Sequence, residues 1–479
     1  MTIEPTRETL MTMANPSEIQ RSLYRAVWRW HFCAGFLALP FLVILAVTGG
    51  LYLFKAEIDH MIYRSMLEVP AQSAPPAPAS VLVHDAATAF GGRVLQVTVP
   101  EQPQQSVKMI VSTAANETRT VFLDPYNGKI IGSTAYGGIM QMIRKIHSLQ
   151  YFGFWASCLM EVTAGWTIVL AFSGIYLWWP RGRRGGVLTV RGAPRTRWFW
   201  RDLHAVTGVL ASAVILFLAV TGMPWTKVWG KYVQQWTTSA GLGQPKPPAE
   251  VLREWQLAGP GGRSGKATHH HDHASEFQAD LPWALEKTAP PDSIPLASQH
   301  RVIGVDAALE IVNAAGLPKP FTLALPIGPR GAYMASYRPD QVEKTRIIYV
   351  DQYSGRILGD TGFVQYGPAA KVIEWGVAVH QGLEYGTLNR LLMLAGCVAI
   401  LMLAMTAPVM WWKRRPKGSW ALPPAPADPR IGRGVGLIMA VAGLVFPLMG
   451  LSMIAVVFSL WFYDMAKAKL ETSREVPAA

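Results

Sequence analysis

The chain has 479 residues, of which half are hydrophobic and only 16% are charged, and it contains 18 tryptophans. This composition excludes an ordinary soluble domain and is typical of a protein with membrane spans and aromatic belts. The formal net charge of +13 would suit a nucleic-acid-binding protein. Its placement along the chain assigns it to membrane topology instead, so no nucleic-acid partner is expected.

Five apolar stretches are long enough to cross a bilayer core, which needs about 20 residues per helix. The predicted spans are residues 28–54, 151–179, 204–226, 388–412 and 436–463. Around them lie a tail at 1–27, connecting segments at 55–150, 180–203, 227–387 and 413–435, and a second tail at 464–479. The last span has an alternative, a re-entrant hairpin around Pro447–Gly450, but the sequence favours one long helix.

Basic residues are concentrated before the first span and in the two short connecting segments. They are Arg21, Arg25, Arg29, Arg181, Arg183, Arg184, Arg191, Arg195, Arg197, Arg201, Lys413, Arg414, Arg415, Lys417, Arg430 and Arg433. Under the positive-inside rule these residues face the cytoplasm. The N-terminus is therefore expected inside, the segments 55–150 and 227–387 outside, and the C-terminus outside.

The two external segments repeat each other. Residues 121–132 read as strand, tight turn, strand with Asn-Gly at the turn, and residues 348–359 repeat this with Ser-Gly. Ahead of each turn the sequence predicts a short helix (83–90 and 305–314) and two strands (94–99 and 107–113; 321–325 and 332–337). Each external segment is therefore expected to form a small α+β module.

Four histidines recur as two copies of one pattern at the ends of the spans. His31 and His204 each lie 17 residues before a Thr-Gly pair, and His147 and His380 each lie 31 residues before a Trp-Trp pair. The chain is therefore a tandem duplication plus a fifth span. Both copies start in the cytoplasm, which makes the repeats parallel, related by an axis along the membrane normal.

Topology decides which of these histidines can meet. His31 and His204 open spans on the cytoplasmic side, whereas His147 and His380 precede spans that start outside. Two pairs at two depths predict two bis-imidazole sites, and helix bundles commonly hold haem between facing helices. The chain has no CxxCH motif, so the expected groups are two non-covalent haems b. Because two histidines fill both axial positions, such sites carry electrons and leave no open position on iron.

The spacing of the second span presents a difficulty for this hypothesis. A straight helix from His147 to Trp178 would be about 46 Å long at 1.5 Å per residue, and a hydrocarbon core is about 30 Å thick. The outer ligands would then lie above the core. A tilt, or a bend near Gly153, would bring them closer.

Simpler interpretations stay open. A histidine at a helix end is comfortable among lipid headgroups, and duplication alone would preserve the pattern. Two other classes of function also fit part of the sequence. One is a non-redox protein that binds or inhibits a periplasmic partner through its external modules, which would need no cofactor. The other is a transporter, which would need broken helices around a polar midplane site.

The motifs in combination point to a known family. They are Trp30-His31, Leu45-Ala46-Val47-Thr48-Gly49, Ile146-His147-Ser148-Leu149, Ser173-Gly174-Ile175-Tyr176-Leu177-Trp178-Trp179-Pro180, Asp202-Leu203-His204 and Thr221-Gly222. Over about residues 20–415 the chain resembles the PepSY-associated transmembrane family, and its external modules resemble PepSY-type domains. The expected fold is thus an α-helical integral membrane protein with two small α+β modules.

Members of this family include iron-regulated inner-membrane proteins and di-haem siderophore reductases of Gram-negative bacteria. The resemblance implies that His31, His147, His204 and His380 ligate two haems in a bacterial inner membrane. It also implies that electrons pass from the cytoplasmic side to a ferric siderophore or another metal chelate in the periplasm. The chain differs from the family in its fifth span, in a His-rich insertion, and in Thr406-Ala407-Pro408 where the first copy has Ser173-Gly174-Ile175.

The sequence shows no nucleotide-binding motif, and its cytoplasmic segments are too short for a flavin domain. A separate donor, whether a quinol, a flavin or a redox protein, is therefore expected.

Two further features are candidate sites. The insertion carries His269, His270, His271 and His273, which could gather a transition metal or form part of a solvated linker. Glu161 is the one acidic residue deep in a span, which favours either a proton-linked role or a hydrogen bond within the bundle.

Overall fold

The computed structural model describes residues 16–181, 185–243, 291, 293, 301–415 and 422–475. Within these, helices α1 to α12 are Pro16–Tyr52, Lys55–Leu67, Ala79–Phe90, Gly138–His147, Phe154–Trp178, Arg197–Gly222, Trp229–Ser239, Gly304–Ala314, Pro368–His380, Gly386–Arg414, Pro429–Val445 and Pro447–Glu475. Strands β1 to β8 are Arg93–Val99, Val107–Ser112, Thr118–Leu123, Ile130–Ala135, Phe321–Ala324, Ala332–Tyr337, Arg346–Asp351 and Ile357–Gly362.

The chain divides into two compact units. The helical unit comprises residues 1–50, 146–233 and 392–479, and the sheet unit comprises residues 51–145 and 234–391. Five described helices are long and apolar enough to cross a membrane: Glu18–Tyr52, Phe154–Trp178, Arg197–Trp225, Gly386–Arg414 and Pro447–Met465. The protein is therefore a multi-pass helical membrane protein, as the sequence predicts.

The chain bends sharply between His147 and the second span. Helix α4 ends at His147, Leu149 takes a left-handed φ of 52°, and a 3-10 turn over Gln150–Phe152 follows. Gly153 then has a φ of 94°, a conformation that glycine adopts without steric cost, and α5 begins at Phe154. Of the alternatives that the sequence left open, the bend near Gly153 is the one present, so no straight helix joins His147 to Trp178.

The last apolar segment is a helical hairpin. Helix α11 ends at Val445, Phe446 leaves the helical region with φ −121° and ψ 86°, and Pro447 starts α12. A Cβ on Gly443 would lie 2.8 Å from the Cα of Gly450, whereas residues seven apart in one helix are separated by about 10 Å. The expectation of one long helix over 436–463 is wrong. The alternative of an interruption around Pro447–Gly450 describes the chain, because proline cannot donate within a helix interior.

Residues from both arms of this hairpin contact the first half of α1. The backbone N–H of Asp428 donates to Ser22 Oγ at 3.0 Å, before α11 begins. Near the other end, Arg29 and Asp464 form an ion pair at 2.8 Å. Residue 464 thus lies at the level of Arg29, two residues before His31. Which side of the membrane the C-terminus occupies stays a prediction.

The sheet unit contains one eight-stranded antiparallel sheet in the order β4-β3-β2-β1-β5-β6-β7-β8. All the strands that the sequence predicts are present. The two halves do not form separate sheets, because β1 pairs with β5 from Gln96↔Ala324 to Val99↔Phe321. Each half has a helix on the same face: α3 buries Leu82 and Ala86 over the first half, and α8 buries its own apolar residues over the second.

The internal repeat extends to side-chain contacts at the turns. The Tyr126 hydroxyl donates to the carbonyl of Pro103 at 3.1 Å, and the Tyr353 hydroxyl donates to that of Pro329 at 2.7 Å. Asp124 and Asp351 each accept from the backbone N–H two residues later, at 2.9 Å in both halves. The two halves are therefore copies of one unit, fused along their edge strands.

The close approach of Gly443 to Gly450 generates a prediction about the hairpin. Gly443→Leu would place a side chain against the backbone of α12, and such overpacking costs about 1–3 kcal/mol. We expect a lower unfolding temperature in detergent, followed by tryptophan fluorescence. Gly434→Leu on the same helix is the control, since a Cβ there meets nothing within 4 Å. Equal unfolding temperatures for the two variants would contradict the hairpin.

Candidate functional site

His31 and His204 line one large cavity in the helical unit. His31 lies on α1 and His204 on α6, and the cavity measures about 1500 Å³. Its walls come from α1, α5, α6, α10 and α12, and they are mostly apolar. The structure thus brings together the two histidines that the sequence pairs at the basic end of the spans.

Glycines leave room beside these imidazoles. Gly35 lies one helical turn after His31, Gly208 lies one turn after His204, and both line the cavity. A Cβ on Gly35 would be 3.8 Å from Leu170, and one on Gly208 would be 3.7 Å from Leu403. A methyl group at either position would therefore fit against the protein but occupy cavity space. The absence of side chains at these positions suits a flat ligand that lies across both helices.

Each of these imidazoles is held by a hydroxyl group from a neighbouring helix. His31 Nδ1 lies 2.8 Å from Ser173 Oγ, and His204 Nδ1 lies 2.8 Å from Thr406 Oγ1. The Ser173 hydroxyl donates its single hydrogen to the carbonyl of Val169 at 2.5 Å, and that of Thr406 donates to the carbonyl of Leu403 at 3.2 Å.

This arrangement favours one tautomer of each imidazole. Since each hydroxyl hydrogen is used, its oxygen accepts from the imidazole Nδ1–H, and Nε2 keeps its lone pair. A histidine that donates through one ring nitrogen and offers the other is the usual state of a metal ligand. Thr406 supplies in the second repeat the hydroxyl that Ser173 supplies in the first, so the change from Ser to Thr keeps the contact.

The same contact occurs at the other end of α1. His147 Nδ1 lies 2.9 Å from Thr48 Oγ1, which donates to the carbonyl of Ile44 at 2.5 Å. A Cβ on Gly49 would lie 3.3 Å from His147 Cε1. The Thr-Gly pair that marks the repeat in the sequence therefore has a role that the sequence did not reveal: the threonine orients the histidine and the glycine makes space for it.

The second repeat carries the same pair at Thr221-Gly222, and Thr221 Oγ1 likewise donates to the carbonyl four residues back, Phe217, at 2.7 Å. His380 is the last residue of α9 and belongs to the sheet unit. Its pairing with His147 stays a prediction.

The bend before α5 brings the two histidine levels closer than a straight helix would. His31 and Thr48, the partner of His147, are separated by 17 residues of α1, or about 26 Å. A straight helix from His147 to Trp178 would be about 46 Å long. Both levels therefore fit within a hydrocarbon core of about 30 Å.

The cavity is positively charged where it meets the basic segments. Its described lining includes Arg197, Arg201 and Arg414 and no acidic residue. Arg201 is neutralised by Asp202, at 2.5 Å, and lies over the ring of Trp198. The Arg414 guanidinium lies 4.4 Å from the ring centroid of Trp28. The lining therefore has an excess of positive charge, which suits a ligand with carboxylates.

Glu161 is fully buried in α5 and caps another helix. Its Oε2 accepts from the backbone N–H of Val228 at 3.1 Å and of Trp229 at 2.9 Å, at the start of α7. Trp229 in turn packs against Phe446, the residue at the hairpin bend, with ring centroids 5.9 Å apart. The hydrogen bond within the bundle is confirmed, and a proton-linked role for Glu161 stays a prediction.

The predicted metal cluster of His269, His270, His271 and His273 lies outside the described residues. Within the described part of the chain, no group of three or more His, Cys, Asp or Glu side chains is placed to hold a metal ion.

Comparison with known proteins agrees with the resemblance. No curated protein matches the chain. The model of the PepSY-associated TM region matches residues 28–414, which include the four histidines and the first four spans and exclude the hairpin of α11 and α12. The chain therefore belongs to the family defined by the PepSY-associated transmembrane region.

Proposed function

We propose that this protein is a transmembrane di-haem b electron carrier that reduces a ferric chelate on the periplasmic side of a bacterial inner membrane. The observation that carries the proposal is the pair His31 and His204 in one apolar cavity, each with Nδ1 bound to a hydroxyl. This donor set leaves two imidazole Nε2 atoms for one ligand, which is the axial set of a b-type haem.

The residues of the cavity fit this group. His31 and His204 would ligate the iron, Gly35 and Gly208 would leave space for the ring, and the arginines would bind the propionate carboxylates. Bound in this way, a haem supplies reversible one-electron storage, with a potential that depends on the axial ligands and on burial. The chain itself contributes orientation, exclusion of water and positive charge.

The second site rests on the repeat. His147, oriented by Thr48, is one ligand, and His380 is the other by its equivalent place in the second copy. The two levels, about 26 Å apart along α1, allow one haem near each face of the bilayer. Haem bound at both levels would supply one-electron transfer across most of the core.

The positive-inside rule indicates how the protein is oriented in the membrane. Arg21, Arg25 and Arg29 lie at the same end of the helical unit as Asp464, so we place both chain ends in the cytoplasm. The sheet unit is then periplasmic, and His31 and His204 would hold a haem at the cytoplasmic side, where the donor is expected.

A ferric siderophore is the substrate class that we favour. Siderophores bind Fe(III) through hard oxygen donors, which hold Fe(II) far more weakly, so one electron releases the metal and leaves the chelator intact. The protein would then act as a reductase without a residue that forms bonds to the substrate.

The first test counts haem in histidine variants. Purified protein should show a low-spin b-type spectrum, reduced minus oxidised, with two haems per chain. His31→Ala or His204→Ala should empty one site and leave one haem. The control is His84→Ala, an exposed histidine of the sheet unit. If the wild-type protein contains no haem after expression with ample haem supply, the reductase proposal is wrong.

The second test addresses the hydroxyl partner. Ser173→Ala removes the acceptor of His31 Nδ1, and loss of such a contact typically weakens metal-site affinity about 10–100-fold. We expect faster transfer of haem to an excess of a scavenging apoprotein, with Ser173→Thr restoring retention. Ser212→Ala is the matched control, since Ser212 also lines the cavity but bonds only the carbonyl of Val209. Equal haem loss from both alanine variants would contradict the role assigned to Ser173.

The third test addresses the substrate. Protein reduced by a stoichiometric amount of dithionite should be reoxidised by a ferric hydroxamate chelate, with one Fe(II) trapped per electron. The gallium chelate of the same ligand, which has the same shape and charge but cannot be reduced, should leave the spectrum unchanged. Reoxidation at the same slow rate with both chelates would refute iron reduction while leaving the electron-carrier proposal intact.

A further inference from the structure

The cavity around His31 and His204 is larger than one ligand needs. Pockets for single ligands usually measure about 300–1,000 Å³, whereas this cavity has about 1500 Å³. Part of the additional space lies along α12, the second helix of the hairpin. This helix lies beyond residue 414, where the family match ends.

One face of α12 forms a wall of this space. Ser452, Ala455, Ser459 and Tyr463 line the cavity at intervals of three and four residues, which places them on one side of the helix. They span 11 residues, or about 16 Å of helix. We call the part of the cavity along these four residues the α12 arm. It runs from the level of Trp166, which donates to Ser452 Oγ at 2.8 Å, to the basic end of the unit.

The α12 arm is open at its side. Ala455 and Ser459 are exposed although they line the cavity, and Phe36 on α1 lines it with 68% of its surface exposed. In a membrane this flank faces lipid, since α1 and α12 are both candidate spans. A ligand that enters here has to be lipid-soluble.

Polar groups lie at the basic end of the arm. Tyr463 lines the arm at this end, and its neighbour Asp464, which lies outside the lining, pairs with Arg29. Arg29 is 9% exposed, and its Nε is a buried donor with no acceptor among the described residues. The arm thus has an apolar wall that carries two serines and ends at a tyrosine, next to the ion pair of Arg29 and Asp464. This arrangement fits a molecule with an apolar tail and a small oxygen-bearing head.

We propose that the α12 arm binds an isoprenoid quinol, which is the electron donor of this protein. The inference rests on the proposed function, since the arm adjoins the residues assigned to the inner haem. Oxidation of one quinol to the quinone releases two electrons and two protons. The electrons leave one at a time and reduce two ferric ions to ferrous ions outside. The protons pass to water at the basic end, where the Asp464 carboxylate is half exposed.

The test uses haem-loaded protein in nanodiscs of synthetic phospholipid, with a short-chain ubiquinol analogue as the probe. Two quantities are measured: quinone bound per chain after removal of the free probe, and the anaerobic rate of haem reduction. Wild-type protein should bind one probe and be reduced rapidly. Ala455→Phe fills the arm and should lower both bound probe and rate at least tenfold, with haem content and dithionite spectrum unchanged.

The matched control is Ile454→Phe. Ile454 is the residue before Ala455, is 54% exposed and does not line the cavity. It should behave as wild type. Ser459→Leu is a second, smaller obstruction of the arm, for use if Ala455→Phe does not fold. Haem-loaded wild-type protein that binds no probe, or carries only phospholipid in the arm, would overturn the quinol site and leave the haem proposal standing. Equal effects of Ala455→Phe and Ile454→Phe would also overturn it.

Discussion

The hydrogen bond between a histidine Nδ1 and a hydroxyl on a neighbouring helix is the contact on which the site depends. It joins α1 to α5 through His31 and Ser173, and α6 to α10 through His204 and Thr406. Each hydroxyl also bonds a carbonyl of its own helix, which favours one orientation and one tautomer of the imidazole. In a low-dielectric interior such a bond is costly to break, because neither partner finds water there. The bond therefore positions the ligand and also connects the two helices of each repeat.

The bend before α5 allows a histidine–hydroxyl hydrogen bond at both ends of α1. His31 receives a hydroxyl from α5, while Thr48 of α1 supplies one to His147. A straight helix would carry His147 too far from Thr48, so the left-handed backbone at Leu149 and Gly153 is as important to the site as the ligands. Two levels of histidine, about 26 Å apart, follow from that geometry.

The hairpin of α11 and α12 changes what the cavity can hold. It lies beyond the family match, packs through Met449 against Gly165 of α5, and closes one side of the cavity with small and hydroxyl-bearing residues. A single straight span would have carried the end of α12 away from Arg29. The folded-back arrangement keeps Asp464 beside it, which brings the polar end of α12 to the level of the inner histidines.

The sequence by itself determined the first four spans, the duplication and the strands of both modules, and it predicted that His31 and His204 lie at the same level. Each of these follows from local patterns, namely apolar length, alternation, turn residues and repeated spacing. Only the tertiary structure decided the rest. The fusion of two modules through β1 and β5, the fold-back at Phe446, and the hydroxyl assigned to each histidine depend on contacts between residues far apart in the chain. Edge pairing, close glycine contacts and side-chain tautomers leave no periodic signal in one sequence, because they are set by which surfaces meet.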